Sequence, residues 1–593
     1  MRKRLYYLSA SIAAIAACGS TPDPDNNNPF VNPPFNPGGG GTEEPDTGEP
    51  SEPIVVEPVT ASRPNIIVIL VDDMGYSDIG CYGSEISTPN IDRLAEQGIR
   101  YRTFYNAARS APTRASLLTG LYPHEAGYGA LEVLDQDHYR GYIEDNTCTI
   151  PEALREVGYT SFVTGKWHLN FNKSAPLSRG FDHSVAFMGG WYWSDDAVNT
   201  PDAPLYYEDR KLSSPQTDLL PGGTGAWYTS DMFVTQGLQW MDEALQSDKP
   251  FFWYMPFNAV HFPIQAKEET INKYKGRYSD GYTKVREQRF ARQVSLGLFK
   301  EGELTPENPH QSFKHWDKMN AAEKEKADLR MAIYAACVED MDTNIGRILA
   351  HLDEKGIRDS TLIFFLSDNG GNAETGWPGR WDECDNPGLE GSKIWLGAPW
   401  AGVANTPFFQ YKHHAHNGGC CTPLIVSWTG GINQTLWGSI DKANYGHIVD
   451  IMPTVLELTG AAYPSQRSAK GAVFPVQPME GISMVPTLSG QTLTRTKPII
   501  VEHEGNKMLR DGDWKIAQEF ESVEDIDNTT ANRWRLYNVV DDPTEMKDLS
   551  AQYPERLQSM LQTYRQEASR TFVDSSHDWT GRVGNWYSPV RNY

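Results

Sequence analysis

The sequence is short of cysteine, of cationic charge and of long apolar runs, and each shortage removes a class of function. Its seven cysteines include no Cys-x-x-Cys pair, so neither a cysteine zinc site nor a thioredoxin-type redox centre is expected. Lys and Arg number 53 against 77 Asp and Glu, a net charge of −24, which argues against a nucleic-acid binder. An anionic substrate must then be captured by a local cationic pocket. Past the first residues no uncharged apolar run reaches the roughly 18 residues of a membrane span. What is present is 39% apolar residues across 593, enough for one large domain of about 400 residues and a smaller companion. The 17 Trp and 28 Tyr suit core packing and also stacking on sugar rings.

Arg2, Lys3 and Arg4 precede an apolar stretch from Leu5 to Ala17, the pattern of a bacterial secretory signal. Ala16-Ala17-Cys18-Gly19 resembles the lipobox of bacterial lipoproteins, which implies a lipid on Cys18; a plain signal peptide that contains a Cys is the alternative. Residues 1–17 are thus expected to be removed. Residues 18–62, rich in Pro, Asn, Gly and Glu, are expected to form a disordered tether. The expected location is the periplasm or outer-membrane surface, with membrane attachment only through the N-terminal lipid. One or two disulfides among Cys81, Cys148, Cys337, Cys384, Cys420 and Cys421 are compatible with that compartment, and spacing does not assign them.

Four apolar runs each end in charged or polar residues. Residues 65–71 stop at Asp72-Asp73, and residues 361–367 stop at Asp368-Asn369. Residues 251–256 are followed by Asn258 and His261, and residues 160–164 by Lys166 and His168. Continuous apolar runs of this length are strands buried on both faces of a parallel sheet. Ligands in open α/β sheets bind beyond the carboxyl ends of the strands, so one polar site is expected along that edge. A helix is expected through Glu96, with Thr88 as its cap, Pro89 at its first position and Gly98 as terminator, and a long one over 322–352. The fold class is α/β: a large, mostly parallel mixed sheet sandwiched by helices over 63–495. Over 496–593 a smaller C-terminal antiparallel sheet plus helix is expected, with strands around 501–516 and 534–537 and helical spacing from Pro554 to Ala568. Asp72, Asp73, Asp368 and Asn369 offer only oxygen, which suits a hard cation such as Ca²⁺ or Mg²⁺; each taken alone also suits a helix or turn cap.

Ser110-Ala-Pro112-Thr-Arg114 reads as a loop entering a helix, with Ser110 at a helix N-terminus that favours an anion and Arg114 one turn on. Together with Leu117-x-Thr119-Gly120, this segment resembles the signature of the type I sulfatase family of the alkaline-phosphatase superfamily. Five further blocks agree in order: 71–76, Thr164-Gly-Lys-Trp-His168, His261-x-Pro263, Ser367-Asp-Asn-Gly370 and His447-x-x-Asp450. The resemblance spans roughly residues 63–575.

The resemblance implies that a separate maturing enzyme oxidises Ser110 to formylglycine, this chain being of the serine type. It further implies that Asp72, Asp73, Asp368, Asn369 and modified Ser110 surround one Ca²⁺. Its geminal diol would attack sulfur through one hydroxyl. Arg114 would orient the diol, Lys166 would bind diol and sulfate, and His168 would deprotonate the second hydroxyl. His261 would protonate the leaving oxygen. Lys412, before His413-His-Ala-His416-Asn-Gly-Gly419, matches the family's late lysine, with Lys393 the runner-up. His416 and Trp193 are candidate substrate contacts, and Trp191, Trp377, Trp381, Trp395 and Trp400 share Gly-rich, loop-like segments suited to sugar stacking or to packing the loops. The implied partner is a sulfated glycan or another sulfate ester. Two rivals stay open, a phosphate-ester or phosphonate hydrolase of the same superfamily and a non-catalytic surface binder of sulfated glycans. The lipid assignment makes a direct prediction. Cys18→Ser abolishes incorporation of labelled fatty acid and moves the chain out of the membrane fraction.

Overall fold

In a computed structural model, described over residues 63–131, 133–194, 204–212, 227–305, 314–519, 534–574, 577 and 579, the first apolar run forms the strand Asn65–Val71. It lies mid-sheet, parallel to Phe251–Pro256 on one side and to Thr361–Ser367 on the other. Thr160–Lys166 continues the parallel order between Phe251–Pro256 and His183–Phe187. Leu424–Ser427 adds on antiparallel to Thr361–Ser367, completing the mixed character of a ten-stranded sheet. The alternation of the strand sorts its side chains into two cores. Ile67, Ile69 and Val71 pack into one, against Trp240 and the long helix Ala321–Glu354. Ile66, Val68 and Leu70 pack into the other, against Leu117, Leu154 and Met452. Every side chain from Ile66 to Val71 is fully buried, each worth about 1.5–3 kcal/mol.

Two local expectations are corrected. Thr88 does not cap the helix Pro89–Glu96; its hydroxyl accepts from the Gly80 amide instead, at 2.8 Å. The carboxylate of Asp342, from the long helix, accepts from the Ile91 amide at 2.8 Å and the Asn90 amide at 3.1 Å. A buried acid brought in from elsewhere has taken the role of the local cap. The helix ends at Glu96 as expected, but its C-cap is Gln97, and Gly98 begins the strand Gly98–Tyr101. The cysteines named above as disulfide candidates are all free. Cys18 and the tether lie outside the described residues.

The smaller antiparallel sheet has four strands, Ile499–His503, Asn506–Asp511, Trp514–Gln518 and Arg535–Asn538. The first two pair across a turn at Glu504-Gly505, a reversal that the sequence reading passed over. The helix Pro554–Arg570 buries Met560, Leu561, Tyr564 and Ala568. A buried ion pair within this C-terminal part also holds the loop around Asn417. Lys515 Nζ lies 2.6 Å from Glu545 Oε1, both side chains fully buried, and Glu545 Oε2 accepts from the Asn417 amide at 2.8 Å.

Burial alone would raise the Glu545 carboxyl, but Lys515 and His416 overcome it and hold it down at about 2. A carboxylate with a depressed native pKa stabilises the fold above its ordinary value near 4.5, and that contribution drains away as pH falls toward 2. Glu545→Gln, which strands the Lys515 charge, is expected to cost about 3–5 kcal/mol, measured by urea unfolding at neutral pH. Its penalty should shrink as the titration is repeated in acid.

Candidate active site

The register of two strands builds the centre. Val71 pairs with Ser367, so Asp72 and Asp368 leave the sheet side by side, and the Asp368 amide donates to the Val71 carbonyl at 3.0 Å. Asp73 follows with a positive φ of 64°, which turns its backbone so that its amide donates to Asp368 Oδ1 at 3.2 Å. Ser110 is the first residue of the helix Ser110–Thr119. Its hydroxyl lies 3.1 Å from Asp72 Oδ1 and 3.3 Å from Asn369 Oδ1, and the residue is 1% exposed.

Three carboxylates here face three cations. Lys166 Nζ is 2.5 Å from Asp72 Oδ2, and Lys412 Nζ is 2.7 Å from Asp73 Oδ1. Arg114 donates through Nε and Nη2 to Asp368 Oδ2, at 3.2 and 2.8 Å, and through Nη1 to the Lys166 carbonyl at 2.6 Å. Burial would raise Asp72, yet Lys166, with His261 and Arg114, holds it well below the carboxylate range. Asp368 goes the other way, pushed up to about 7 by burial and by the adjacent Asp72 charge. This is carboxylate crowding that the cations only partly relieve.

The two histidines flank this cluster. His261 Nδ1 donates to the Phe262 carbonyl at 2.6 Å, and Nε2 lies 3.6 Å from Asp73 Oδ2. Burial and Lys166 push its pKa down to about 4, so it is neutral at ordinary pH. His168 sits at a positive φ of 56°, and burial, Lys166 and Arg114 hold it well below the usual imidazole value. It shares a cavity of 300 Å³ with Ala111, Phe171, Met188 and Tyr206.

The residues matched by the family model, described simply as sulfatase, run from 64 to 461. An arylsulfatase of Klebsiella aerogenes is 36% identical over 444 residues, covering 71% of this chain and 91% of its own. The chain belongs to the sulfatase family. It is therefore a sulfuric ester hydrolase. An N-acetylgalactosamine-6-sulfatase from dog is 27% identical over 73% of this chain and 67% of its own length. The solved structure of Ps i-CgsB in complex with k-i-k-neocarrahexaose superposes with a TM-score of 0.60 at 23% identity, covering 89% of this chain and 95% of that one. Another, in complex with its substrate D-glucosamine-2-N,6-O-disulfate, gives 0.55 at 20% identity over 87% of this chain and 99% of that one. These two likenesses establish the fold.

The sulfatase thus gathers Asp72, Asp73, Ser110, Arg114, Lys166, His168, His261, Asp368, Asn369 and Lys412 at one sheet edge. Lys393, the alternative late lysine, is exposed. His416 is not in that cluster: it is fully buried, with Nδ1 3.1 Å from Glu545 Oε2, part of the clamp that fixes the loop carrying Lys412. Trp193 is also elsewhere, lining a 640 Å³ cavity with Trp227, Tyr228 and Lys267 that contains none of the catalytic candidates. Trp191 and Trp400 are buried. Trp395 has one face on Phe262, ring centres 5.0 Å apart, and Arg380 4.6 Å from its ring centre. Phe262 in turn stacks on His261 at 4.1 Å, so this column braces the histidine. His447 and Asp450 act structurally, since Asp450 Oδ2 accepts from the His447 amide at 2.7 Å ahead of the helix Ile451–Thr459.

Sequence reasoning missed three neighbours. Arg109 pairs with Glu374 at 2.6 Å, and Asn372 Nδ2 donates to Asp73 Oδ2 at 2.6 Å. Asn372 and Glu374 come from an irregular segment after Gly370-Gly371 that carries no periodic signal; the run of polar residues just past a strand end was the available hint. The central pairing generates a prediction. Arg114→Ala leaves Asp72 and Asp368 facing each other without its charge and costs about 3–5 kcal/mol. In chelator the thermal midpoint drops, and added Ca²⁺ recovers part of it.

Proposed function

We propose that this sulfatase hydrolyses O-sulfated carbohydrate, with Ser110 converted to formylglycine by a separate maturing enzyme and one Ca²⁺ held beside it. The observation that carries the reading is the meeting of three carboxylates and three cations around a serine at a helix N-terminus. The donors fit a hard cation: Asp72, Asp73, Asp368, Asn369 and residue 110 present oxygens, and the crowding that lifts Asp368 is what a dication would relieve. Asp72, Asp73 and His261 also converge, their ligand atoms within 4.8 Å of one another. The oxygen set is preferred, because His261 Nδ1 is committed to Phe262 and its ring is stacked in the aromatic column. When bound, the Ca²⁺ supplies positive charge to the sulfate oxygens and to the nucleophile.

The chain's own groups do the rest. As its hydrate, formylglycine would offer one hydroxyl to attack sulfur as the ester S–O bond breaks and the alcohol leaves, and a second whose deprotonation would re-form the aldehyde and release sulfate. Arg114, locked on Asp368, fixes the orientation of residue 110. Lys166 and Lys412 exchange their carboxylate partners for sulfate oxygens, concentrating positive charge in a protein of net charge −24. His168, held neutral, is able to take the proton of the second hydroxyl. His261 turns Nε2 toward Asp73; with its own proton held on Nδ1, it would act as the acid for the leaving oxygen only after Nε2 takes up a proton. A carbohydrate substrate is supported by the fold neighbours solved with sugars and by the expected export as a lipoprotein.

Peptide mass spectrometry across Ser110, on protein from its native host, should show the loss of two hydrogens. Ser110→Ala should lower sulfate release at least about 10³-fold with unchanged circular dichroism; retained turnover refutes the nucleophile.

A further inference from the structure

A second polar cluster lies beside the first and takes no part in the chemistry above. His413 follows Lys412 directly, His503 ends the first strand of the small sheet, and Glu504 opens the turn to the second. All three are buried, at 2%, 0% and 3% exposure. His413 Nε2 lies 3.6 Å from Glu504 Oε2, and His503 Nε2 lies 3.8 Å from Glu504 Oε1. The two rings meet edge to face with centres 4.7 Å apart, and one ligand atom from each residue falls within 4.8 Å of the others. His503 is the decisive member. It is fully buried, and neither of its ring nitrogens has a hydrogen-bond partner among the described residues. Burying an imidazole with both nitrogens unused is unfavourable unless something else meets them.

We propose that His413, His503 and Glu504 form a second metal site, for a first-row divalent ion and by ligand type Zn²⁺. Two imidazole nitrogens and one carboxylate are a common zinc donor set, leaving a fourth position for water. The oxygen-only cluster around Asp72 favours a harder cation, so the two sites select different metals. The nearby cations already have carboxylate partners: Lys412, close to both imidazoles, lies 2.7 Å from Asp73. Arg109 is nearby but is neutralised by Glu374 at 2.6 Å. Glu502, on the same strand as His503, adds a further buried carboxylate, 2.8 Å from His124 Nε2. Both His413 and Glu504 sit at positive φ, 86° and 44°, a backbone conformation disfavoured for residues with side chains. The ion would tie the loop of Lys412 to the C-terminal sheet. The absence of cysteine pairs conceals such a site, because its ligands lie about 90 residues apart in sequence.

The test is elemental analysis of the full chain purified in metal-free buffer and then incubated with Zn²⁺. About one zinc per chain is expected, lost to background in His503→Ala and in Glu504→Gln but kept in Asp72→Ala. If the variants do not fold, the wild type decides alone. Metal-stripped protein titrated with Co²⁺ should develop the visible absorption of four-coordinate cobalt and lose it to added Zn²⁺. A wild type that retains no zinc and gives no cobalt band overturns the proposal. So does zinc that stays in both His503→Ala and Glu504→Gln, or that disappears in Asp72→Ala.

Discussion

Everything at the catalytic edge depends on bringing three buried carboxylates together, an arrangement that electrostatics opposes. Asp72 and Asp368 are adjacent because their strands are in register, and Asp73 is turned in beside them. All three are buried, which weakens the screening of their repulsion, and each is matched with a cation. Arg114 is locked from the nucleophile helix, Lys166 arrives from a neighbouring strand end, and Lys412 comes from a loop far along the chain. A buried charge left without its partner is costly, whereas a complete set is tolerated. The cluster is therefore both the candidate functional centre and a tie among elements distant in sequence.

The second layer of that tie is the small sheet. Lys515 and Glu545 hold Asn417 and His416, and so fix the loop in which Lys412 stands. On the other flank the column Trp395–Phe262–His261 sets one histidine by ring contact instead of by charge. Catalytic groups are thus positioned by side chains that never approach the reacting atoms. Precision of this kind is what pre-organised electrostatic catalysis requires.

The strands were legible because their signal is local: an apolar run ended by Asp-Asp or Asp-Asn announces both a central strand and its functional tip. Ser110, Arg114 and the late Lys412 were legible through motif order. What escaped was non-local. Nothing near Pro89 announces that Asp342 will cap that helix in place of Thr88. Nothing near Glu374 announces Arg109, since the two meet across 265 residues. His416 and Trp193 read as substrate contacts because a histidine in a Gly-rich loop and a tryptophan in a loop look alike whether they line the site or pack elsewhere. Only packing tells them apart.

The C-terminal clamp has a consequence in time. Ribosomes make the chain from Asp72 toward Glu545, so the nucleophile segment emerges long before Lys412, and Lys412 before the residues that immobilise its loop. Until Glu545, past the last strand of the small sheet, has emerged, the loop of Lys412 lacks its clamp. Ser110, sealed to 1% exposure in the finished protein, spends that interval on an open chain, within reach of any enzyme that must modify it. Under the proposed function, the order of synthesis would present Ser110 to its maturing enzyme before the site is closed.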